Sequence, residues 1–152
     1  MVLIERVFNP RSVYTAAILG VVLLISGCTV KLISSYDEAT DKAVTALQKK
    51  TETYFVSLEA VEGLPECVYE KHKDFYNEAK VDVAAIAVRA AAIPKNEITT
   101  QQAELLSSNL NTLEKLHKIA CLSQDQISLL RTQFNSSFTA ILKLELAKRR
   151  GE

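Results

Sequence analysis

The chain has 152 residues, of which 48% are hydrophobic, four are glycine and three are proline. This length suits one domain with its own core, and the composition is typical of a globular helical protein and excludes a disordered one. The 18 basic and 18 acidic residues leave a formal net charge of +0 at pH 7. Because nucleic-acid binding usually needs a basic surplus, we expect no nucleic-acid partner.

The N-terminal stretch differs in character from the rest of the chain. Arg6 and Arg11 make its start weakly basic, and residues 13–25 are uncharged and mostly apolar. This order of a basic region followed by an apolar one is typical of a signal peptide. The stretch ends in Leu24-Ile25-Ser26-Gly27-Cys28, which resembles the lipobox of bacterial lipoproteins: an aliphatic residue, a small polar one, Gly or Ala, and then the cysteine that receives the lipid.

The resemblance to bacterial lipoproteins implies a division of the chain. Residues 1–27 would be removed as the signal peptide, residues 28–34 would form the lipidated N-terminus and tether, and residues 35–152 the helical domain. Cys28 would bind a diacylglycerol and so anchor the protein to membrane lipid. Thr29, where inner-membrane lipoproteins of enteric bacteria carry Asp, favours an outer-membrane location facing the periplasm. The alternative is an ordinary signal peptide or an uncleaved anchor in which Cys28 has no role.

Three turn sequences interrupt apolar patterns of helical spacing in the remainder of the chain. They are Gly63-Leu64-Pro65, Pro94-Lys95-Asn96 and Cys121-Leu122-Ser123. Glycine and proline end helices, and short connections make neighbouring helices antiparallel. The sequence therefore predicts an all-α, up-down-up-down four-helix bundle, with a three-helix bundle and a separate membrane-proximal first helix as the alternative. The predicted helices are 30–62, 65–93, 98–120 and one that starts at 123.

Helix caps and core positions follow from the same patterns. Asn96 or Thr99 is expected to cap the third helix, and Ser123 with Gln126 matches a capping box for the fourth. Apolar residues spaced three, four and seven apart are expected to face the core. They include Leu32, Leu47, Tyr54, Leu58, Val68, Phe75, Val83, Ile86, Ile98, Leu105, Leu106, Leu110, Ile127, Leu130, Phe134 and Ile141.

The two cysteines outside the lipobox-like stretch are predicted to form a disulfide. Cys67 and Cys121 lie at similar distances along the chain from the turn at 94–96, so the antiparallel hairpin brings them to the same end. An even cysteine count in an exported domain fits one bridge. A redox-active pair is the alternative, but the cysteines lack the Cys-x-x-Cys spacing of such pairs.

The two histidines raise the question of a metal site. His72 and His117 are also brought to the disulfide end by the hairpin, and Glu114 stands three residues before His117, a spacing found in di-iron bundles. Those sites need a second such motif, which the chain lacks. We therefore expect solvated or hydrogen-bonded histidines and no cofactor. No enzyme motif was found, so the sequence favours a binding or scaffolding module over an enzyme.

The expected partner of this module is an envelope protein or a second copy of the chain, and a carrier of a small ligand or metal in the bundle interior is the alternative. Two surfaces bear on this choice. A basic C-terminus either approaches anionic headgroups or stays solvated, and it comprises Lys143, Lys148, Arg149 and Arg150. An aromatic group is expected to be mostly core, with exposed members marking a partner surface; it comprises Tyr54, Phe55, Tyr69, Phe75 and Tyr76.

Overall fold

The computed structural model describes residues 32–151. The predicted signal peptide and Cys28 lie outside the described residues. Within the described part of the chain, no helix combines the length and apolar character needed to cross a bilayer.

The described residues form a four-helix bundle. Its helices are α1 (Glu38–Ala60), α2 (Lys73–Ala92), α3 (Glu97–Ile119) and α4 (Gln124–Arg150). Each helix packs on the next, and α1 also packs on α4. The start of α1 lies beside the end of α2, where Arg89 bonds Asp37, and the start of α3 lies beside the end of α4, where Lys148 bonds Asn96. The predicted up-down-up-down bundle is therefore confirmed, and the alternative with a separate first helix is wrong.

The first two helices begin later than the sequence pattern predicts. Asp37 starts α1 because its carboxylate accepts a hydrogen bond from the Thr40 amide at 3.0 Å. Residues 32–37 precede the helix, and Leu32 is 84% exposed instead of buried. Two short 3-10 turns, Pro65–Cys67 and Tyr69–Lys71, precede α2 where the sequence predicts α-helix. In this segment the Cys67 carbonyl accepts a hydrogen bond from His117 Nε2 at 2.6 Å.

The core runs along the bundle axis between the four helices, and most of the predicted positions contribute to it. Ile98 and Leu105 are exposed instead, because the buried face of α3 is centred on Ala103, Leu106 and neighbouring turns. Val68 is exposed as well, in the extended link between the two 3-10 turns before α2. The capping box of Ser123 and Gln126 is confirmed. The predicted side-chain cap of α3 is absent at Asn96, whose side chain bonds other groups.

Candidate functional site

The disulfide closes one end of the bundle. Cys67 and Cys121 are bonded, with their Cα atoms 5.5 Å apart, which confirms the sequence prediction. The bridge ties the segment before α2 to the end of α3, at the opposite end of that hairpin from its turn. We call this the distal end. It is the end away from residue 32, where the described chain begins.

A buried polar cluster adjoins the disulfide, and it consists of Tyr54, Tyr76 and His117. The His117 Nε2 atom lies 2.6 Å from the Cys67 carbonyl oxygen. Because a carbonyl only accepts, Nε2 carries the proton and Nδ1 is the acceptor. Tyr76 donates to Nδ1 at 2.8 Å, and Tyr54 donates to the Tyr76 hydroxyl at 2.9 Å, while the Tyr54 hydroxyl also lies 3.0 Å from Nδ1. The cluster therefore links α1, α2 and α3 to the disulfide segment through connected hydrogen bonds.

The cluster holds its members in their neutral forms. His117 is only 2% exposed, and burial lowers its pKa from the usual value. Burial also raises the pKa of Tyr54 and of Tyr76, so both hydroxyls remain protonated. A neutral His117 whose two ring nitrogens are both occupied has no lone pair left to offer a metal ion.

The structure brings the two histidines together as the hairpin register predicts. Their ring centroids are 5.2 Å apart, and His72 Nε2 lies 3.1 Å from the Glu66 carbonyl oxygen. Glu114 does not join them as a ligand, since Lys80 and Lys118 bond its carboxylate at 2.6 and 3.0 Å. Burial alone would raise the pKa of Glu114, but hydrogen bonds from these lysines and Tyr69 lower it to about 2. No group of three metal-ligating side chains occurs among residues 32–151.

The buried cluster of Tyr54, Tyr76 and His117, which we call the distal cluster, predicts that the stability of the protein depends on pH. The folded state lowers the pKa of His117 below its usual 6.5, so below that pH the unfolded chain binds more protons than the folded one. The free energy of unfolding should therefore fall as pH drops below 6.5, by up to about 1.4 kcal/mol per pH unit. Urea titrations at about pH 7.5 and about pH 5.5 measure this fall.

The second histidine of the chain supplies the matched control for this prediction. His117→Gln should flatten the pH dependence, whereas His72→Gln should preserve it. The pKa values of Glu114 and Asp37 are lowered from 4.5 and 3.8. These two carboxylates therefore lose their contribution to the free energy of unfolding only as the pH falls below those values, outside the range of the two titrations. A dependence that survives His117→Gln would show that another group carries it.

The opposite end of the bundle, which we call the tether end, contains a buried ion pair. The Lys148 ammonium donates to Glu145 at 2.5 Å, to Asn96 at 2.6 Å and to Thr99 at 2.9 Å. Lys148 is 4% exposed and Glu145 is 0% exposed. The prediction that Lys148 belongs to the solvated or headgroup-facing C-terminus is wrong, because Lys148 and Glu145 continue the buried face of α4.

The tether end also holds the segment before α1. The Ser34 amide donates to the Lys95 carbonyl at 2.9 Å, and the Ser34 hydroxyl donates to Asn96 at 2.9 Å. Arg89 binds Asp37 through two hydrogen bonds of 2.6 and 2.7 Å, and this guanidinium keeps the pKa of Asp37 well below its usual range. Ser34, which the sequence assigns to the tether, is thus bonded to the bundle.

The aromatic group is mostly core, as predicted. Tyr54, Phe55 and Tyr76 are buried, and Tyr69 and Phe75 are partly buried against them. Phe75 stacks on Tyr54 with ring centroids 3.6 Å apart. These rings stabilise the distal end and leave little aromatic surface there for a partner.

An uncharged surface runs along the solvent side of α2, and the sequence pattern did not single it out. Val81 and Val88 are 68% and 72% exposed, and alanines continue the same face. The charged residues at its borders are engaged within the bundle, where Lys50 binds Asp82 and Lys80 binds Glu114. We call this the α2 outer face; it comprises Val81, Ala84, Ala85, Val88, Ala91 and Ala92.

No protein-family model, curated protein or solved structure matches this chain. Function is therefore inferred from the residues and the geometry of the chain itself.

Proposed function

We propose that this chain is a lipoprotein of the bacterial envelope, acylated at Cys28 and located at the outer membrane facing the periplasm. Its bundle is a binding or scaffolding module for another envelope protein or for its own copies. One observation carries the proposal. The disulfide uses two of the three cysteines, and the third is Cys28, at the end of the lipobox-like stretch. Disulfides persist in oxidising compartments such as the periplasm, which is where such a lipoprotein resides.

The binding role is supported by the α2 outer face. A contiguous apolar surface on a small domain is typical of a partner site. Val81, Ala85, Val88 and Ala92 recur at helical spacing, and the small side chains between the valines allow another helix to approach closely. The partner surface is therefore expected to be helical, whether it belongs to an envelope protein or to a second copy.

The alternative role as a metal carrier is less well supported. His117 uses both ring nitrogens within the distal cluster, and His72 contacts a backbone carbonyl. A metal ion would have to displace these bonds before it could bind His117, and no further metal-ligating side chains group with His72 among the described residues.

The anchor is tested on the mature protein from a bacterial host. Mass spectrometry of its N-terminal peptide should find Cys28 as the first residue, carrying a diacylglycerol and an acylated amino group. Cys28→Ser should abolish that mass and release the protein from the membrane fraction. A mature chain that retains residues 1–27, or an unmodified Cys28, would refute the proposal.

The binding surface is tested with two matched double variants. Val81→Lys with Val88→Lys places two charges on the α2 outer face, and Val56→Lys with Leu129→Lys places two charges on exposed aliphatic positions of α1 and α4. Cross-linking in intact cells and sedimentation of the purified protein should show that only the first pair abolishes the specific complex. Equal complexes in both variants would mean that the face has no binding role.

A further inference from the structure

The tether end presents apolar and basic side chains together. Leu32 is 84% exposed and Ile33 is 41% exposed, directly before the segment that Ser34 fixes to Lys95 and Asn96. The exposed Arg149 and Arg150 follow Lys148, which bonds Asn96 in the same cluster. We call this surface the tether-end face; it comprises Leu32, Ile33, Lys95, Arg149 and Arg150.

Charge is distributed unequally between the two ends of the bundle. Near the tether-end face, the carboxylates of Asp37 and Glu145 are engaged by Arg89 and Lys148, and the exposed Glu38 is paired with Lys42. Glu97 is the remaining exposed acid beside three cations. At the distal end, exposed acids outnumber exposed lysines. The acids are Glu62, Glu66, Glu70, Asp74 and Asp125, and the lysines are Lys71, Lys73, Lys115 and Lys118.

The length of the tether limits how far this face can lie from a membrane. Only residues 29–31 separate Cys28 from Leu32. Even fully extended, four residues span at most about 14 Å. The headgroup region of one leaflet is about 5–8 Å thick. A lipid on Cys28 would therefore keep Leu32 and Ile33 within reach of the headgroups.

We propose that the tether-end face docks on anionic phospholipid headgroups, with Leu32 and Ile33 entering the interface and Lys95, Arg149 and Arg150 binding phosphates. This inference rests on the proposed acylation of Cys28. Basic residues at a negatively charged membrane surface each favour binding by about fivefold. Docking holds the bundle axis roughly perpendicular to the membrane. The disulfide end then points away from the membrane, and the α2 outer face is directed parallel to the membrane plane.

The chain contains no tryptophan, so the fluorescence of one introduced tryptophan reports contact of the tether-end face with lipid. Gly151 has an αR backbone, and a Cβ added there would make only ordinary van der Waals contacts with the Lys148 and Ala147 carbonyl oxygens, at 3.6 and 3.8 Å. Gly151→Trp therefore places an indole at this end without backbone strain. The acylated protein is reconstituted into vesicles of brominated phosphatidylcholine, with or without phosphatidylglycerol. Quenching of the indole should be strong only with phosphatidylglycerol, and high salt should reverse it.

Charge reversal separates docking from simple tethering. Lys95→Glu with Arg150→Glu should lower the ratio of docked to undocked protein by about 25-fold or more, because each lost cation alone weakens binding about fivefold. Lys71→Glu with Lys115→Glu changes the net charge equally at exposed positions away from the tether end and should leave the ratio unchanged. Equal quenching in both lipid mixtures, or in both variants, would overturn the docking inference while the mass of Cys28 still supports the anchor. A mature protein without the lipid would overturn both.

Discussion

Replacing Glu145 with alanine should lower the free energy of unfolding by about 3–5 kcal/mol. The substitution leaves the Lys148 ammonium buried, with only the neutral oxygens of Asn96 and Thr99 as partners. The substitution also removes a second hydrogen bond, in which the Asp37 amide donates to the other Glu145 carboxylate oxygen at 3.2 Å. Urea unfolding under oxidising conditions, followed by circular dichroism, measures the loss.

Two controls separate the buried charge from general disruption at the tether end. Glu145→Leu combined with Lys148→Met removes both charges and should recover most of the lost stability, since an apolar replacement of a buried pair is often neutral. Glu38→Ala removes the exposed partner of Lys42 on α1 and should have little effect. A Glu145→Ala variant that unfolds like Glu38→Ala would show that water or another group satisfies Lys148.

The buried pair matters for the proposed function because it joins three separate parts of the chain. Glu145 and Lys148 on α4 contact Asn96 and Thr99 at the start of α3, and Glu145 also accepts from Asp37 at the start of α1. A chain held to a membrane by its N-terminus would transmit force to Ser34 and Asp37 first. The network anchors that segment to the bundle at the end where such force enters.

Local signals in the sequence were sufficient to predict the number of helices and the turns between them. The capping box at Ser123 and the breaks at Gly63 and Pro94 depend on neighbours in sequence, so they can be recognised without the fold. The hairpin register then placed Cys67 and Cys121 together, because an antiparallel pair is determined by its turn. The start of α1 also had a local signal, Asp37 three residues before Thr40, but the apolar pattern extending upstream obscured it.

The burial of Glu145 and Lys148 had a signal in the sequence, the helical spacing of α4, but the charge of these two residues concealed it. The buried positions of α4 are Ile127, Leu130, Phe134, Phe138, Ile141, Glu145 and Lys148, a continuous spacing of three and four. Phase alone would therefore place Glu145 and Lys148 in the core. Charged residues at a helix end are usually solvated, and that expectation led to the wrong interpretation of Lys148.

The α2 outer face could not be predicted from the pattern because α2 is apolar on more than one side. Val83 and Ile86 are buried while Val81 and Val88 are exposed, and both pairs have similar composition. Only the packing of α1 and α3 against α2 decides between them. The hydrogen bonds of His117 likewise depend on three segments distant in sequence, so spacing predicted the proximity of the histidines but not their partners.

Removing the disulfide should have a comparably large effect on stability. Cys67→Ser with Cys121→Ser is expected to lower the free energy of unfolding by about 4 kcal/mol, because a bridge across 54 residues restricts the unfolded chain strongly. The native bundle should persist at reduced stability, since the core and the bond from His117 to the Cys67 carbonyl are still present. Urea titration with and without a reductant measures the difference.

A variant of the third cysteine, Cys28→Ser, separates the effect of the disulfide on stability from the effect of the lipid on membrane attachment. Cys28→Ser should leave the free energy of unfolding unchanged, because Cys28 lies outside the loop that the bridge closes, yet it should abolish membrane attachment. A reductant should destabilise the Cys28→Ser protein and have no effect on the Cys67→Ser, Cys121→Ser protein. If Cys28→Ser lowered the stability as much as the double variant, then Cys28 would itself be a partner in the stabilising disulfide, and both its assignment to lipid and the Cys67–Cys121 pairing would fail.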